Sequence, residues 1–314
     1  MCSILAITMT KPQVPVVPTS SDVGNYFKTK TDLALELFVY KLACDLGFEA
    51  VHGGTYIDPV SQKVRQYDVR ASMQRGQYCL RLAIECKALS PAAPLVVACT
   101  RRAFDDAVVD FVHAIDPTCP HLTSKSVAQR HRRVPSRPEM YATNGYVGKT
   151  IAQIEFDHKS SEWISKGDLF DKWSQALGSA ADLFEEAKRA STRYMPDVYT
   201  AVIPILVIPD NTLWVAGFSD SGVAADEPQL ASSMSLQVHR VFDSDPDTGF
   251  TVSHLHLIAR GALENVLKCL APPSEDRLVY RHILFGSLAQ ELFREQEQRE
   301  RQSRLDDGQD VRLK

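Results

Sequence analysis

Hydrophobic and polar positions alternate most regularly over Leu80-Arg81-Leu82-Ala83-Ile84-Glu85-Cys86-Lys87. In an extended strand successive side chains point to opposite faces. Leu80, Leu82, Ile84 and Cys86 therefore turn toward a core, while Arg81, Ala83, Glu85 and Lys87 share the other face. Residues 51–56 and 64–71 read as two earlier strands, with a turn at Asp58-Pro59 and another over 73–77, so the three predict a meander. Ahead of them, Thr31-Asp32 reads as a helix cap and Gly47 as a stop. The helix between is apolar nearly all round and is expected to be buried.

Residues 95–99 form a further short apolar run. Over 164–189, apolar side chains at 169, 170, 173, 176, 177, 180, 183 and 184 follow helical spacing and predict a long amphipathic helix. Residues 199–209 are almost continuously apolar, as in a strand buried on both faces. Asp210-Asn211-Thr212 reads as a hairpin turn into a strand at 213–217. A helix is expected over 256–270, a break at 271–274, and a last helix over 277–302 that passes from apolar to Glu, Gln and Arg, then into a solvated tail. Residues 1–21, rich in Pro, Thr, Ser and Val, read as an arm. There is no internal repeat.

The chain has 314 residues, 44% hydrophobic and 24% charged, which is an ordinary globular composition and enough for one large domain or two modest ones. The formal net charge of −4 does not by itself point to nucleic acid, though a local basic patch would suffice for phosphate contact. Seven cysteines without CxxC spacing read as reduced core thiols. With no long apolar run and no leader pattern, the expectation is a cytoplasmic protein without a membrane partner.

Residues 121–138 gather His121, Lys125, Arg130, His131, Arg132, Arg133 and Arg137. Such a stretch is either a solvated loop or a loop that grips phosphate, since guanidinium forks match phosphate oxygens. Gly145-Tyr146-Val147-Gly148-Lys149-Thr150 is not a P-loop, because Thr143 stands where that motif needs its first glycine. Lys149 remains a candidate phosphate contact. Residues 217–222 miss the G-x-S-x-G elbow at Ser221. His254 and His256 could share a strand face as metal ligands but have no third ligand at supporting spacing.

The densest chemistry lies in the meander. A hairpin would set Asp68 beside Glu85, where two carboxylates repel unless a cation lies between them. Lys87, two residues on, shares the Glu85 face. Glu36 lies within the helix expected to be buried and needs a compensating partner.

Asp68 followed by Glu85-Cys86-Lys87 resembles the motif of the PD-(D/E)xK, or restriction-endonuclease-like, nuclease superfamily, with Tyr67 in place of the usual proline. The resemblance implies an α/β fold with an α-β-β-β-α-β core, a mixed central sheet flanked by helices. That core would span 22–219 with an insertion around 100–160, followed by a mostly helical C-terminal region over 220–314. It implies a Mg²⁺ site (Mn²⁺ as a substitute) held by Asp68, Glu85, the Cys86 carbonyl and Glu36. Lys87 would orient or activate the attacking water, and Gln175 would be presented by the second helix. Arg130, Arg132, Arg133 and Lys149 are the expected backbone contacts. DNA is the implied substrate, with a homodimer for cutting two strands, a role in defence against foreign DNA, and a partner protein of a defence system. Two alternatives stand beside it: a non-catalytic nucleic-acid-binding or assembly module of the same fold, and an enzyme that uses His254 and His256 with a transition metal.

Overall fold

The computed structural model describes residues 17–30, 32–75, 78–102, 108–114, 130–135, 145–166, 169–190, 198–225, 227–242 and 250–270. Two helices open the described chain, α1 (Ser20–Lys30) and α2 (Leu33–Asp45), followed by strands β1 (Glu49–Ile57), β2 (Val64–Arg75) and β3 (Tyr78–Cys86). These strands are the expected antiparallel meander. After five strands, β4 (Leu95–Arg101), β5 (Val108–Ala114), β6 (Arg130–Pro135), β7 (Tyr146–Asp157) and β8 (Glu162–Lys166), comes α3 (Leu169–Ala190). The helix returns the chain to β9 (Val198–Ile208), which lies parallel to β3. The order is thus helix, three-stranded meander, helix, parallel strand, with β4–β8 between the meander and the second helix.

β10 (Leu213–Gly217), β11 (Gln229–Leu230), β12 (Ser233–Phe242), β13 (Phe250–Ala259) and α4 (Arg260–Leu270) complete the described chain. Among the described residues, one mixed sheet of 13 strands runs β1-β2-β3-β9-β13-β12-β7-β4-β10-β11, with β5, β6 and β8 attached off that path. The protein is therefore mixed α/β.

β9 explains why its sequence is apolar throughout. Ile203, Ile205 and Val207 join a core with Leu80, Leu82 and Ile84 beneath α2 and α4, which contribute Leu35, Val39, Leu263 and Leu267. Leu206 and Ile208 face the other way, into a core with Ala176, Leu177, Ala181 and Phe184 of α3. The alternation expected of β3 holds: Ile84 lies in the α2 core, while Ala83 packs with Ala180 and Leu183 of α3.

Three expectations change. α2 buries one face only, with Leu33 and Leu37 left 42% and 47% exposed. The turn at 210–212 does not close a hairpin, because both edges of β9 are already taken by β3 and by β13 or β5. β10 instead pairs in parallel with β4 and antiparallel with β11. Residues 220–270 supply more strand than helix, and β13 continues to Ala259 before α4 starts. Within the stretch expected as an insertion, 100–160, β7 joins the sheet between β4 and β12. Residues 1–16 of the expected arm and 271–314 of the expected last helix and tail lie outside the described residues.

Candidate active site

The β2–β3 ladder ends at the pair Val69 and Ile84, although β3 runs two residues further. Beyond that point the Asp68 carboxylate accepts a hydrogen bond from the Cys86 amide at 2.7 Å, where a β2 carbonyl would otherwise stand. On its other side β3 stays in register with β9, and the Lys87 amide donates to the Val207 carbonyl at 2.9 Å. Across a trans peptide the carbonyl and the following N–H point in opposite directions. The Cys86 carbonyl is therefore directed away from β9, into the gap that β2 leaves. The next amide on that side, Ala88, donates to the Asp32 carboxylate at the start of α2. Two carboxylates from different elements thus take the two amides of the open β3 edge.

By strand alternation Glu85 and Lys87 continue the α3 face begun by Arg81 and Ala83. Glu85 is fully buried, and Lys87 is half-buried. Tyr56 of β1 donates its phenol to the Gln175 carbonyl of α3 at 3.1 Å. Burial first, and then the negative charges of Glu85 and Asp58, push that phenol well above the ordinary tyrosine range, against the pull of Arg65 and Arg70. It therefore stays protonated. Asp58 is raised by burial but held below the usual carboxylate range by bonds from Ser61 and Val60, at 2.7 and 3.0 Å from their amides.

Arg70, two residues beyond Asp68, fastens β2 to α3. It donates to the Ser179 hydroxyl at 3.2 Å, Asp182 at 2.9 Å and Glu186 at 3.1 Å, and its guanidinium lies 4.2 Å from the Tyr67 ring centroid. Arg81 reaches the same Glu186 at 3.3 Å. The pair of arginines fastens α3 to β2 and β3.

The sequence-derived candidates divide. Asp68 and the Cys86 backbone meet directly; Glu85 lies on the strand they meet on, and Lys87 is the first residue past its end. Glu36 sits on the opposite side of the sheet from α3, and its carboxylate pairs with His52 at 2.9 Å. The compensating partner this acid needs is an imidazole of β1. Gln175 enters through its backbone carbonyl, which the sequence could not have indicated. Arg130, Arg132 and Arg133 lie on β6, paired with β5, so this part of the expected loop is strand; their side chains are outside the described residues. Lys149, on β7, is separated from β3 by β9, β13 and β12 and donates to Gln237.

His254 and His256 share a face of β13 and engage the Ser253 and Ser235 hydroxyls at 2.8 and 3.3 Å. Burial, then the neighbouring His254 and Arg102, push His256 down to about 3, so it is neutral. Among the described residues no group of three or more His, Cys, Asp or Glu side chains is arranged to hold a metal ion. Asp32 is the residue that sequence reasoning missed. Read as a helix cap, it makes no side-chain cap bond, and nothing local in the sequence signals its reach to Ala88.

Compared with protein-family models, with curated proteins and with solved structures, the chain has no match. What fold and site define is a mixed α/β protein with an acid-lined gap at the open end of an antiparallel hairpin. Among the described residues no helix is long and apolar enough to cross a membrane.

Proposed function

We propose that the chain is a Mg²⁺-dependent nuclease of the PD-(D/E)xK type, acting on DNA. The observation that carries this reading is the parting of β2 from β3 at Asp68, with the Cys86 carbonyl directed into the gap and Glu85 and Lys87 on that strand end. The element order, with α2, the meander, α3 and then β9 parallel to β3, supports the same core.

The donors fit a hard divalent cation in kind, because Asp68, Glu85 and the Cys86 carbonyl offer only oxygen. When bound, such an ion would polarise the phosphate and acidify a water. The chain's own contributions are the burial of Glu85, the fixed Asp68 carboxylate and the Lys87 ammonium, which would offset negative charge building on the phosphate. Glu36 has no part in this reading, given its bond to His52. Defence against foreign DNA, a homodimer and a partner protein belong to the same proposal, by resemblance alone.

One observation favours a second reading, a non-catalytic nucleic-acid-binding module: Asp68 is already engaged by the Cys86 amide. Incubation of the protein with linear, circular and single-stranded DNA, with and without Mg²⁺, separates the two. The nuclease cuts only with the ion, and Asp68→Ala and Lys87→Ala each lower the rate roughly 100-fold or more while circular dichroism stays unchanged. Cleavage retained by both variants would overturn the nuclease reading. DNA binding that is indifferent to Mg²⁺, without cleavage, would establish the module.

A further inference from the structure

We propose that Asp32 is a positioning residue for the Glu85-Cys86-Lys87 segment, fixing its backbone through the Ala88 amide; the consequence for metal affinity rests on the nuclease reading above. The argument begins with what α2 gives up. Its backbone starts the helix at Asp32, whose carbonyl accepts from the Leu35 and Glu36 amides at 2.9 and 3.0 Å. An aspartate there ordinarily caps the first turn, which is worth about 1 kcal/mol. Here the carboxylate makes no cap bond and reaches the amide of Ala88 instead.

The segment needs such a hold. β2 no longer pairs with it, so the Cys86 and Ala88 amides would face an open edge. Asp68 takes the first and Asp32 the second, while the intervening Lys87 amide is bound to Val207 of β9. Three consecutive amides are thereby tied alternately to the two sides. None of these three peptide planes can rotate without breaking a hydrogen bond: the outer two are held by carboxylates, in charge-assisted bonds of the stronger class, and the middle one by the Val207 carbonyl. What those planes fix is the direction of the Cys86 carbonyl and the departure of the Lys87 side chain. Asp32 thus acts through the backbone, from a helix on the far side of the sheet from α3.

The test uses amide hydrogen exchange in the full chain, alongside Mg²⁺ titration of DNA cleavage, for Asp32→Ala and Asp32→Asn. The asparagine oxygen still accepts from Ala88, so Asp32→Asn should keep Ala88 protection and a near-wild-type Mg²⁺ midpoint. Asp32→Ala should speed exchange at Ala88 at least 10-fold and raise the midpoint about 10-fold, with amides of the β1–β2 ladder as the control for folding. Unchanged Ala88 exchange in Asp32→Ala overturns the proposal, and so does loss of protection in Asp32→Asn. A raised midpoint in Asp32→Asn with protection intact also overturns it, by assigning the effect to charge. Should the wild-type protein cut nothing, the nuclease reading fails, and exchange alone decides whether Asp32 holds the segment.

Discussion

His256 shows how far one side chain can be moved by its setting. Burial chiefly, with His254 and Arg102 adding to it, lowers its pKa from 6.5 to about 3, so the folded protein keeps this ring neutral where the unfolded chain would protonate it. Below pH 6.5 the unfolded state therefore binds a proton that the folded state refuses, and stability falls as pH drops from 6.5 toward 3. The contribution is fully present above 6.5. His256→Gln, which can still meet Ser235, should flatten this acid limb. Because the ring is only partly buried, the expected difference between pH 7 and pH 4.5 is about 1 to 2 kcal/mol rather than the full linkage value. Urea unfolding of both proteins at the two pH values measures it, and parallel pH slopes would refute it. Asp32 makes a related point about single residues: its type was legible as a helix-start residue, but its partner lies fifty-six positions away in the chain, and no local pattern encodes that.

At the scale of elements, the packing of α3 on β1 turns on Gly178. A Cβ there would lie 2.9 Å from the Tyr56 hydroxyl and 3.0 Å from the Asp58 carboxylate. Alanine would gain up to about 1 kcal/mol of helix propensity. Overpacking against two hydrogen-bonded groups costs roughly 1 to 3 kcal/mol, so the clash prevails. Gly178→Ala should lower stability by about 1 kcal/mol in a denaturant melt and disturb the Tyr56–Gln175 bond. A stabilised variant would mean that the helix can lift without loss.

Elements whose signal is local were legible in the sequence. The alternation of β3, the amphipathic spacing of α3 and the two-faced apolar run of β9 each follow from where the side chains must go. α1 was missed, although Thr19 and Asp22 carry a readable capping pair, with the Thr19 amide donating to the Asp22 carboxylate at 2.8 Å and the Asp22 amide to the Thr19 hydroxyl at 3.2 Å. The course of β10 was not legible at all, since it depends on which neighbours had already filled the edges of β9. The candidate residues divide in the same way: Asp68, Glu85 and Lys87 were proposed from spacing, whereas the pairing of Glu36 with His52 is visible only in the fold.

For the whole molecule, β9 is the strand on which both faces depend. Ile205 lies in the core under α2 and α4, and the adjacent Leu206 lies in the core under α3. Neighbouring side chains of β9 thus anchor opposite cores, so the strand cannot leave one core without leaving the other. The two cores should therefore unfold as one cooperative unit rather than as separate layers. The three tryptophans, Trp163, Trp173 and Trp214, belong to β8, α3 and β10, so their fluorescence reports on elements outside the α2 core. Amide exchange along α2 reports on the other face. Ile205→Ala removes side-chain volume only from the α2 side and should cost about 2 to 5 kcal/mol. If β9 couples the faces, this substitution lowers the tryptophan midpoint and α2 protection by the same free energy. A loss confined to α2, with tryptophan unfolding unmoved, would show two layers that melt independently and would remove β9 from that role.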